Sequence, residues 1–371
     1  MKVEGLMSLW VVRNILAGGF CLLYCLMGQA QAVTPADQTL AQAKEHGVAW
    51  SGPQTGPAAK SGATVAVICD DLRNGSVLGV AKGVSEAAKV AGWNIRLFDA
   101  GGTLEGREKA VAAAAATKPD GLVIVGIDSR LVRAPLLPLA ARRMPRVGWH
   151  VGPRAGTMHS DPIAINVSAD PRAVAKITAL AASADSREAL GFVIFTDSNF
   201  EIATTKANAM AAIIRACKQC TLLEVRDMAL SKAAESMPAV VKDLLSRYGS
   251  RWTHALAIND LYFDYAAPAL MKAARPAKSM TLLSAGDGSP AAFLRIRAGA
   301  FQTATVAEPL NLQGWQLVDE LNRLLSGKPV TGYVIPIHLV TEDNIDFDGG
   351  PLLMYDPDNG YRDVYRRIWQ R

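Results

Sequence analysis

Catalytic signatures are scarce in this chain of 371 residues. It has no GxxxxGK[ST] phosphate loop, no GxGxxG opening a helix after a strand, no HExxH and no GxSxG nucleophile elbow. These absences argue against P-loop nucleotide hydrolysis, a dinucleotide enzyme, a zinc protease and an α/β-hydrolase. The five histidines are far apart in sequence, so no metal cluster is expected, and nothing calls for a cofactor. Asp70-Asp71 is a carboxylate pair, but neighbours at a strand end point to opposite sides. Shared-proton chemistry is therefore not expected there. The Lys and Arg residues are scattered rather than blocked, which argues against nucleic acid as a partner. Beyond residue 33 no apolar run approaches the roughly 20 residues that cross a bilayer, so the body of the chain is expected to be soluble.

Cysteine is also sparse, with five in all. Cys21 and Cys25 lie in the N-terminal leader. Cys69 ends the apolar run Thr64-Val-Ala-Val-Ile-Cys69, where a buried, inert thiol is expected. Cys217-Lys-Gln-Cys220 can be read as a redox pair, half a zinc site or a small structural disulfide. The second half of a zinc site is missing. A redox CxxC usually opens a helix, whose dipole lowers the thiol pKa, whereas this one closes a helical stretch. A Cys217–Cys220 disulfide is the main expectation, with free thiols and a redox role left open.

The first 32 residues read as an export signal. Lys2 and Arg13 supply a weakly positive leader, Ile15 to Met27 is almost unbroken apolar sequence, and Ala30-Gln31-Ala32 offers the small-x-small cleavage pattern. Glu4 departs mildly from that pattern, and an uncleaved anchor stays open. Removal of the leader takes away two basic residues and one acid, so the formal charge falls from +5 to +4. About 339 residues (371 minus 32) remain, more than one typical core, so two lobes are expected. The location implied is periplasmic.

Residues 33–62 form an N-terminal linker, rich in Gly, Pro, Ser and Ala from Gly47, with Trp50 as a candidate anchor. From Ala63 short apolar runs alternate with helical stretches. Strands are predicted at 64–69, 94–99, 121–127, 146–151 and 163–167, then at 191–196, 221–226, 255–259, 281–286, 302–307 and 333–340. Helices are predicted at 77–90, 106–115, 171–182, 204–216, 239–248 and 312–325. Continuous apolar runs bounded by Gly, Pro, Asn or Asp suit buried parallel strands. Two successive series argue for an α/β protein of two doubly wound parallel-sheet lobes. One lobe would take residues 63–168 and 308–334, the other 169–307 and 335–350. In the tail, residues 351–371, the side chains of Tyr361, Val364, Tyr365, Ile368 and Trp369 share one helical face. That face is expected to pack on a lobe, with partner docking as the alternative.

Ligands of open parallel sheets bind beyond the carboxyl ends of the strands. The polar residues there are candidates, although Asp, Asn and Ser after a strand also cap the next helix. The candidate ligand-binding set is Arg73, Asn74, Ser76, Asp128, Trp149, His150, Asn199, Phe200, Asn259, Asp260, Tyr262, Asp287 and Glu308. Such a ring of hydrogen-bonding groups suits a small polar solute in a cleft.

Several of these segments resemble the type I periplasmic solute-binding proteins of the ribose- and galactose-binding branch. Thr64-Val-Ala-Val-Ile-Cys-Asp70 with Gly83 and Ala91-Gly92-Trp93-Asn94 is similar to that family's first strand, helix and second strand. Lys118-Pro119-Asp120-Gly121-Leu-Val-Ile-Val125 is similar to its "PDGLII" strand, and Met144-Pro145 to its "IPV". Ala257-Ile258-Asn259-Asp260 is similar to "AxND", Ala285-Gly286-Asp287-Gly288 to "GFDG", and Ala304-Thr305-Val306-Ala307 to the "ATVAQ" strand that crosses between lobes. The resemblance spans about residues 63–340. It implies a three-segment hinge, ligand contacts from Asn259 and Asp287, first-loop contacts from Asn74 and Ser76, and a role for Glu308. Two features depart from the pattern. His150-Val151 stands where sugar binders often have Asp-Arg, and Gly75-Ser76-Val77 lacks the stacking Phe of ribose binders. Trp149, Phe200 or Tyr262 would have to supply the apolar face.

The resemblance implies a monomeric, non-enzymatic receptor that delivers a sugar-like solute to an ABC permease in the inner membrane. A ligand sensor feeding a membrane receptor, or a periplasmic enzyme using His150 or the cysteine pair, are the alternatives. The lactose-repressor branch of the same fold would need a helix-turn-helix, for which residues 33–62 have neither length nor basic character.

Overall fold

The computed structural model describes residues 34–370, so the export signal expected at residues 1–32 lies outside the described residues. From Thr39 onward the chain forms one compact unit. Two six-stranded sheets organise it. The first contains β1 (Thr64–Cys69), β2 (Asn94–Asp99), β3 (Gly121–Val125), β4 (Arg146–Trp149), β5 (Gly156–Thr157) and β6 (Ile165–Val167), in the order β2-β1-β3-β4-β6-β5. The second contains β7 (Leu190–Thr196), β8 (Cys220–Asp227), β9 (His254–Ala257), β10 (Thr281–Ser284), β11 (Gln302–Ala307) and β12 (His338–Thr341), in the order β12-β11-β10-β9-β7-β8. Pairing is parallel except at one edge of each sheet, where β5–β6 and β11–β12 run antiparallel. The interior strands β3 and β7 are buried at every position, whereas the edge strands β2 and β8 are partly exposed. Helices on both faces of a sheet require this burial, and it is why the central strands read as unbroken apolar runs.

The predicted helices form close to their expected places, and further helices form at 133–141, 261–272, 290–297 and 345–348, where none is predicted. The helices include α1 (Pro35–Ala43), α2 (Gly75–Ala91), α3 (Leu104–Ala116), α4 (Arg133–Ala141), α5 (Pro171–Ser183) and α6 (Glu201–Ala216). They continue with α7 (Ala233–Tyr248), α8 (Leu261–Lys272), α9 (Pro290–Arg297), α10 (Leu310–Leu325), α11 (Ile345–Asp348) and α12 (Tyr361–Trp369). Helix α7 starts six residues before the predicted Ala239 because it runs through Pro238. Proline removes the hydrogen bond to the carbonyl four residues earlier. Here both Pro238 and Ala234 are exposed, so water can serve the freed carbonyl. The strand predicted at 333–340 forms only at His338–Thr341. Gly332 adopts φ 71°, Thr331 N donates to Glu320 Oε2 at 2.8 Å, and Pro336 has no N–H for a ladder.

Three core segments cross between the sheets: residues 168–170, 308–309 and 326–337. Helix α10, which follows the second crossing, lies tightly on α2. A Cβ on Gly314 would come within 2.4 Å of Val84 N, and one on Gly83 within 2.6 Å of Asn311 O. Only glycine permits this approach, and it fixes the position of the loop that precedes α2. The buried face of α12 covers α10: Trp369 stacks on Trp315 at 5.5 Å, and its indole donates to Asp319 Oδ1 at 2.9 Å. Cys217 and Cys220 form a disulfide just after α6, with a Cα–Cα distance of 5.3 Å. Cys69 is a free, buried thiol whose pKa burial pushes up to about 12, which makes it inert at neutral pH.

Candidate functional site

The carboxyl ends of both sheets face a common cleft with about 490 Å³ of space, part of it open to solvent. Asn74, Trp149, His150, Phe200, Asn259 and Asp287 from the predicted set line it. An adjoining hollow of about 380 Å³ shares Asp70, Asn74 and Phe200 with the cleft and is also lined by Asn199.

Each polar wall residue is held from behind. Asn74 caps α2, its Oδ1 accepting from Ser76 N at 3.0 Å, which leaves its NH2 group for a ligand. Asn259 accepts from Leu261 N at 2.9 Å and donates to Asp287 Oδ2 at 2.8 Å. His150 adopts φ 53°, a left-handed conformation uncommon outside glycine. Its ring lies flat on Trp149, with centroids 3.8 Å apart and planes 10° apart. His150 Nε2 lies 3.0 Å from Glu308 Oε1.

Glu308 does not line the cleft. It is fully buried and ties two hinge segments together: Ala169 N donates to its Oε2 at 2.9 Å, and Gln313 Nε2 donates to the same oxygen. Burial alone would raise its pKa. The charge and hydrogen bond of His150, the Lys206 ammonium and the Ala169 N–H outweigh burial and hold it below its ordinary 4.5.

Five other predicted residues have different positions. Arg73 is largely exposed and pairs with Asp71 through Nη2–Oδ2 at 2.6 Å. Ser76 is buried in the first turn of α2, and its hydroxyl has no partner. Asp128 spans the gap between the lobes, its Oδ2 accepting from Glu201 N at 2.8 Å. Asp260 turns inward to brace the loop before α9, accepting from Gly288 N and Gln302 Nε2, each at 2.8 Å. Burial pushes its pKa up to about 6. Tyr262 is fully buried and donates its hydroxyl to Met228 O at 2.5 Å, so it offers the cleft no face. Asp70 and Asp71 do diverge as expected, the first to Arg107 and the second to Arg73.

Two cations absent from the predicted set are central. Arg107 grips Asp70, with Nε–Oδ1 at 2.5 Å and Nη2–Oδ2 at 3.1 Å, and its guanidinium lies 5.4 Å from the Phe200 ring centroid. Burial raises the pKa of Asp70 despite that partner. Lys206 is 2 % exposed and donates to Asp287 Oδ1 at 3.3 Å. Each was visible as one charge on an apolar helical stripe. The buried positions of α3 are Arg107, Ala110, Val111 and Ala114. Those of α6 are Ile202, Ala203, Lys206, Ala207, Met210, Ala211 and Ile214. A cation at such a position needs a buried anion, and the strand-end aspartates supply it.

His150, Asp287 and Glu308 bring potential metal ligands within 4.8 Å of one another. All four carboxylate oxygens, however, already accept hydrogen bonds, and the Lys206 ammonium supplies positive charge at Asp287. The arrangement is a satisfied hydrogen-bond network that shapes a polar wall. Val77, Trp149, Phe200, Ile202, Leu230 and Ile258 give the cleft apolar surface.

Two doubly wound sheets with a cleft at their carboxyl ends and a three-segment hinge define the type I periplasmic binding fold. This chain belongs to the periplasmic binding protein domain family, whose model matches residues 65–329. Among solved structures it is similar to an ABC transporter solute-binding protein from Agrobacterium vitis with bound allitol. That match has 19% identity and a TM-score of 0.66, covering 77% of this chain and 97% of the other. A second Agrobacterium vitis solute-binding protein, bound with alpha-D-tagatopyranose, has 14% identity and a TM-score of 0.69, covering 79% and 99%. A sugar ABC transporter protein from Yersinia enterocolitica has 15% identity and a TM-score of 0.69, covering 84% and 95%. No curated protein matches the chain.

Proposed function

We propose that this chain is an exported, non-enzymatic receptor that closes on a small sugar-like solute and delivers it to an ABC importer. The observation that carries the reading is the make-up of the cleft. The rings of Trp149 and Phe200 stand with Asn74, His150, Lys206, Asn259 and Asp287 around one cavity between two lobes. Polyhydroxylated rings present apolar faces and edges of donors and acceptors, and an aromatic-plus-amide-plus-carboxylate wall complements both. Similar proteins hold allitol, alpha-D-tagatopyranose and D-arabinose, which supports the solute class. Membership of the periplasmic binding family supports the location and the permease partner. Closure is favoured by whatever contacts the ligand makes only in the closed form. A micromolar affinity corresponds to about 8 kcal/mol, within reach of several hydrogen bonds and two ring contacts.

A thermal-shift screen of the exported protein against sugars and polyols tests this, because a ligand that binds only the native state raises Tm by mass action. At least one such solute is expected to raise Tm in proportion to the logarithm of its concentration. No shift across the panel, together with no retained solute in native mass spectrometry, would sink the reading.

A further inference from the structure

Helix α6 carries Ile202, Ala203 and Lys206 into the cleft, yet its N-terminus has no cap of its own. Its N-cap residue is Phe200, whose side chain has no oxygen to accept from the first-turn N–H groups. The missing acceptor comes from the other lobe. Asp128, at the carboxyl end of β3, accepts from Glu201 N through Oδ2 at 2.8 Å and from its own neighbour Arg130 N through Oδ1 at 3.0 Å. The Asp128 side chain is 2 % exposed. Arg130 adds to the bridge: its Nε lies 3.4 Å from Glu201 Oε2, and its Nη2 donates to Asn199 O at 3.4 Å. The two lobes also touch on the far side of the first loop, where a Cβ on Gly75 would lie 3.0 Å from Ser289 Cβ.

We propose that Asp128 is a trans-acting helix cap, a latch that completes α6 only when the lobes close and so sets the resting balance between open and closed forms. The inference rests on the reading above, that the lobes part to admit solute. It makes Asp128 and Arg130 positioning residues rather than ligand contacts. A closed lobe pair gains a charge-assisted cap at a helix N-terminus, where the dipole favours a carboxylate. An open pair leaves Glu201 N to water. The latch acts on the helix that carries Lys206, so closure and alignment of the cleft wall occur together.

Asp128→Asn is the test, since an amide offers one acceptor oxygen where the two carboxylate oxygens serve Glu201 N, Arg130 N and the Nε and Nη2 of the Arg130 guanidinium, while side-chain volume is unchanged. In the ligand-free full chain, hydrogen exchange by mass spectrometry should accelerate about fivefold at residues 201–203, with little change in the β1 and β7 core. The radius of gyration from X-ray scattering should rise. Arg130→Gln, which keeps the Asp128 carboxylate but removes both its guanidinium partner and the cross-lobe ion pair with Glu201, should accelerate the same amides about twofold. Unchanged exchange at 201–203 and an unchanged scattering profile in Asp128→Asn would overturn the latch. So would uniform acceleration through both cores, which would mean general destabilisation. Titration with D-arabinose and allitol separates this from the functional reading. If either binds the wild type while Asp128→Asn leaves 201–203 protected, the latch fails and the function stands. If exchange accelerates as expected while neither sugar nor any other solute binds, the latch stands and the function fails.

Discussion

The two lobes each place a buried cation beside a strand-end aspartate, but with different residue types and different degrees of satisfaction. In the first lobe Arg107 makes two hydrogen bonds to Asp70, a third to Gly102 O at 3.3 Å, and lies against Phe200. In the second lobe Lys206 makes one 3.3 Å contact with Asp287. A guanidinium presents a planar fork that fits a carboxylate edge, whereas an ammonium carries three donors on a flexible stem. The Arg107–Asp70 pair is therefore a fixed wall. Lys206 keeps donors for whatever enters the cleft, and Asp287, bridged to Asn259, holds it in place.

The largest expected effect follows from breaking the fixed pair. Arg107→Met should leave Asp70 buried without its partner, at a cost of about 3–5 kcal/mol. Chemical denaturation would measure it, and a loss below 1 kcal/mol would mean that Asp70 is not held by this pair. Lys206→Met should invert the pattern, lowering affinity for a solute found in the screen by about 10- to 100-fold, as loss of a charged hydrogen bond does. It should disturb stability less than Arg107→Met, because Asn259 still donates to Asp287. Calorimetric affinity equal to wild type would assign Lys206 to structure alone and remove the asymmetry between the lobes.

The sequence made these pairs legible by halves. Asp70 and Asp287 stand out because strand ends are easy to locate from apolar runs. Their partners lie on helices, where a single Arg or Lys in an apolar stripe signals a buried cation but does not say which strand-end carboxylate it meets. Asp260 and Tyr262 resemble cleft residues in sequence for a related reason. Both follow β9 in sequence, but Asp260 enters α8 with helical backbone angles, φ −60° and ψ −26°, so its carboxylate turns down toward Gly288 and the hydroxyl of Tyr262 toward Met228. Position after a strand tells which loop a residue occupies, and the first turn of the next helix decides whether it faces the cleft or the core. The alternating strands and helices, in contrast, could be placed within a few residues, because buried parallel strands have no polar side to blur the pattern. The exceptions are α7, which runs through Pro238, the strand predicted at 333–340, and the helices α4, α8, α9 and α11, which the pattern does not reveal.

The hinge offers a pH test of intermediate size. Glu308 is held below its ordinary pKa of 4.5, with burial opposed by His150, Lys206 and Ala169. A carboxyl with a lowered folded-state pKa contributes stability above its unfolded value, and this is lost as pH falls through the folded value. Wild type should therefore exceed Glu308→Gln in stability at pH 7 by about 1.5–3 kcal/mol, and the gap should narrow as pH drops below 4.5. A gap that is constant between pH 7 and pH 3 would show that the charge of Glu308 contributes nothing and that only the shape of the hydrogen-bond network matters.

The smallest effect belongs to a change distant from both pairs, and it serves as their control. The Cys217–Cys220 disulfide closes a loop with a sequence separation of 3. Loop-entropy stabilisation grows with loop length, so a double Cys217→Ser, Cys220→Ser variant should lose about 1–2 kcal/mol. The disulfide joins the residue after α6 to the first residue of β8, far along the helix from Lys206, so solute affinity should stay within about twofold of wild type, as for distant independent sites. If affinity instead falls as far as in Lys206→Met, α6 responds as a rigid lever. The asymmetry between the two lobes would then lie in how firmly each helix is anchored, not in the choice of lysine over arginine.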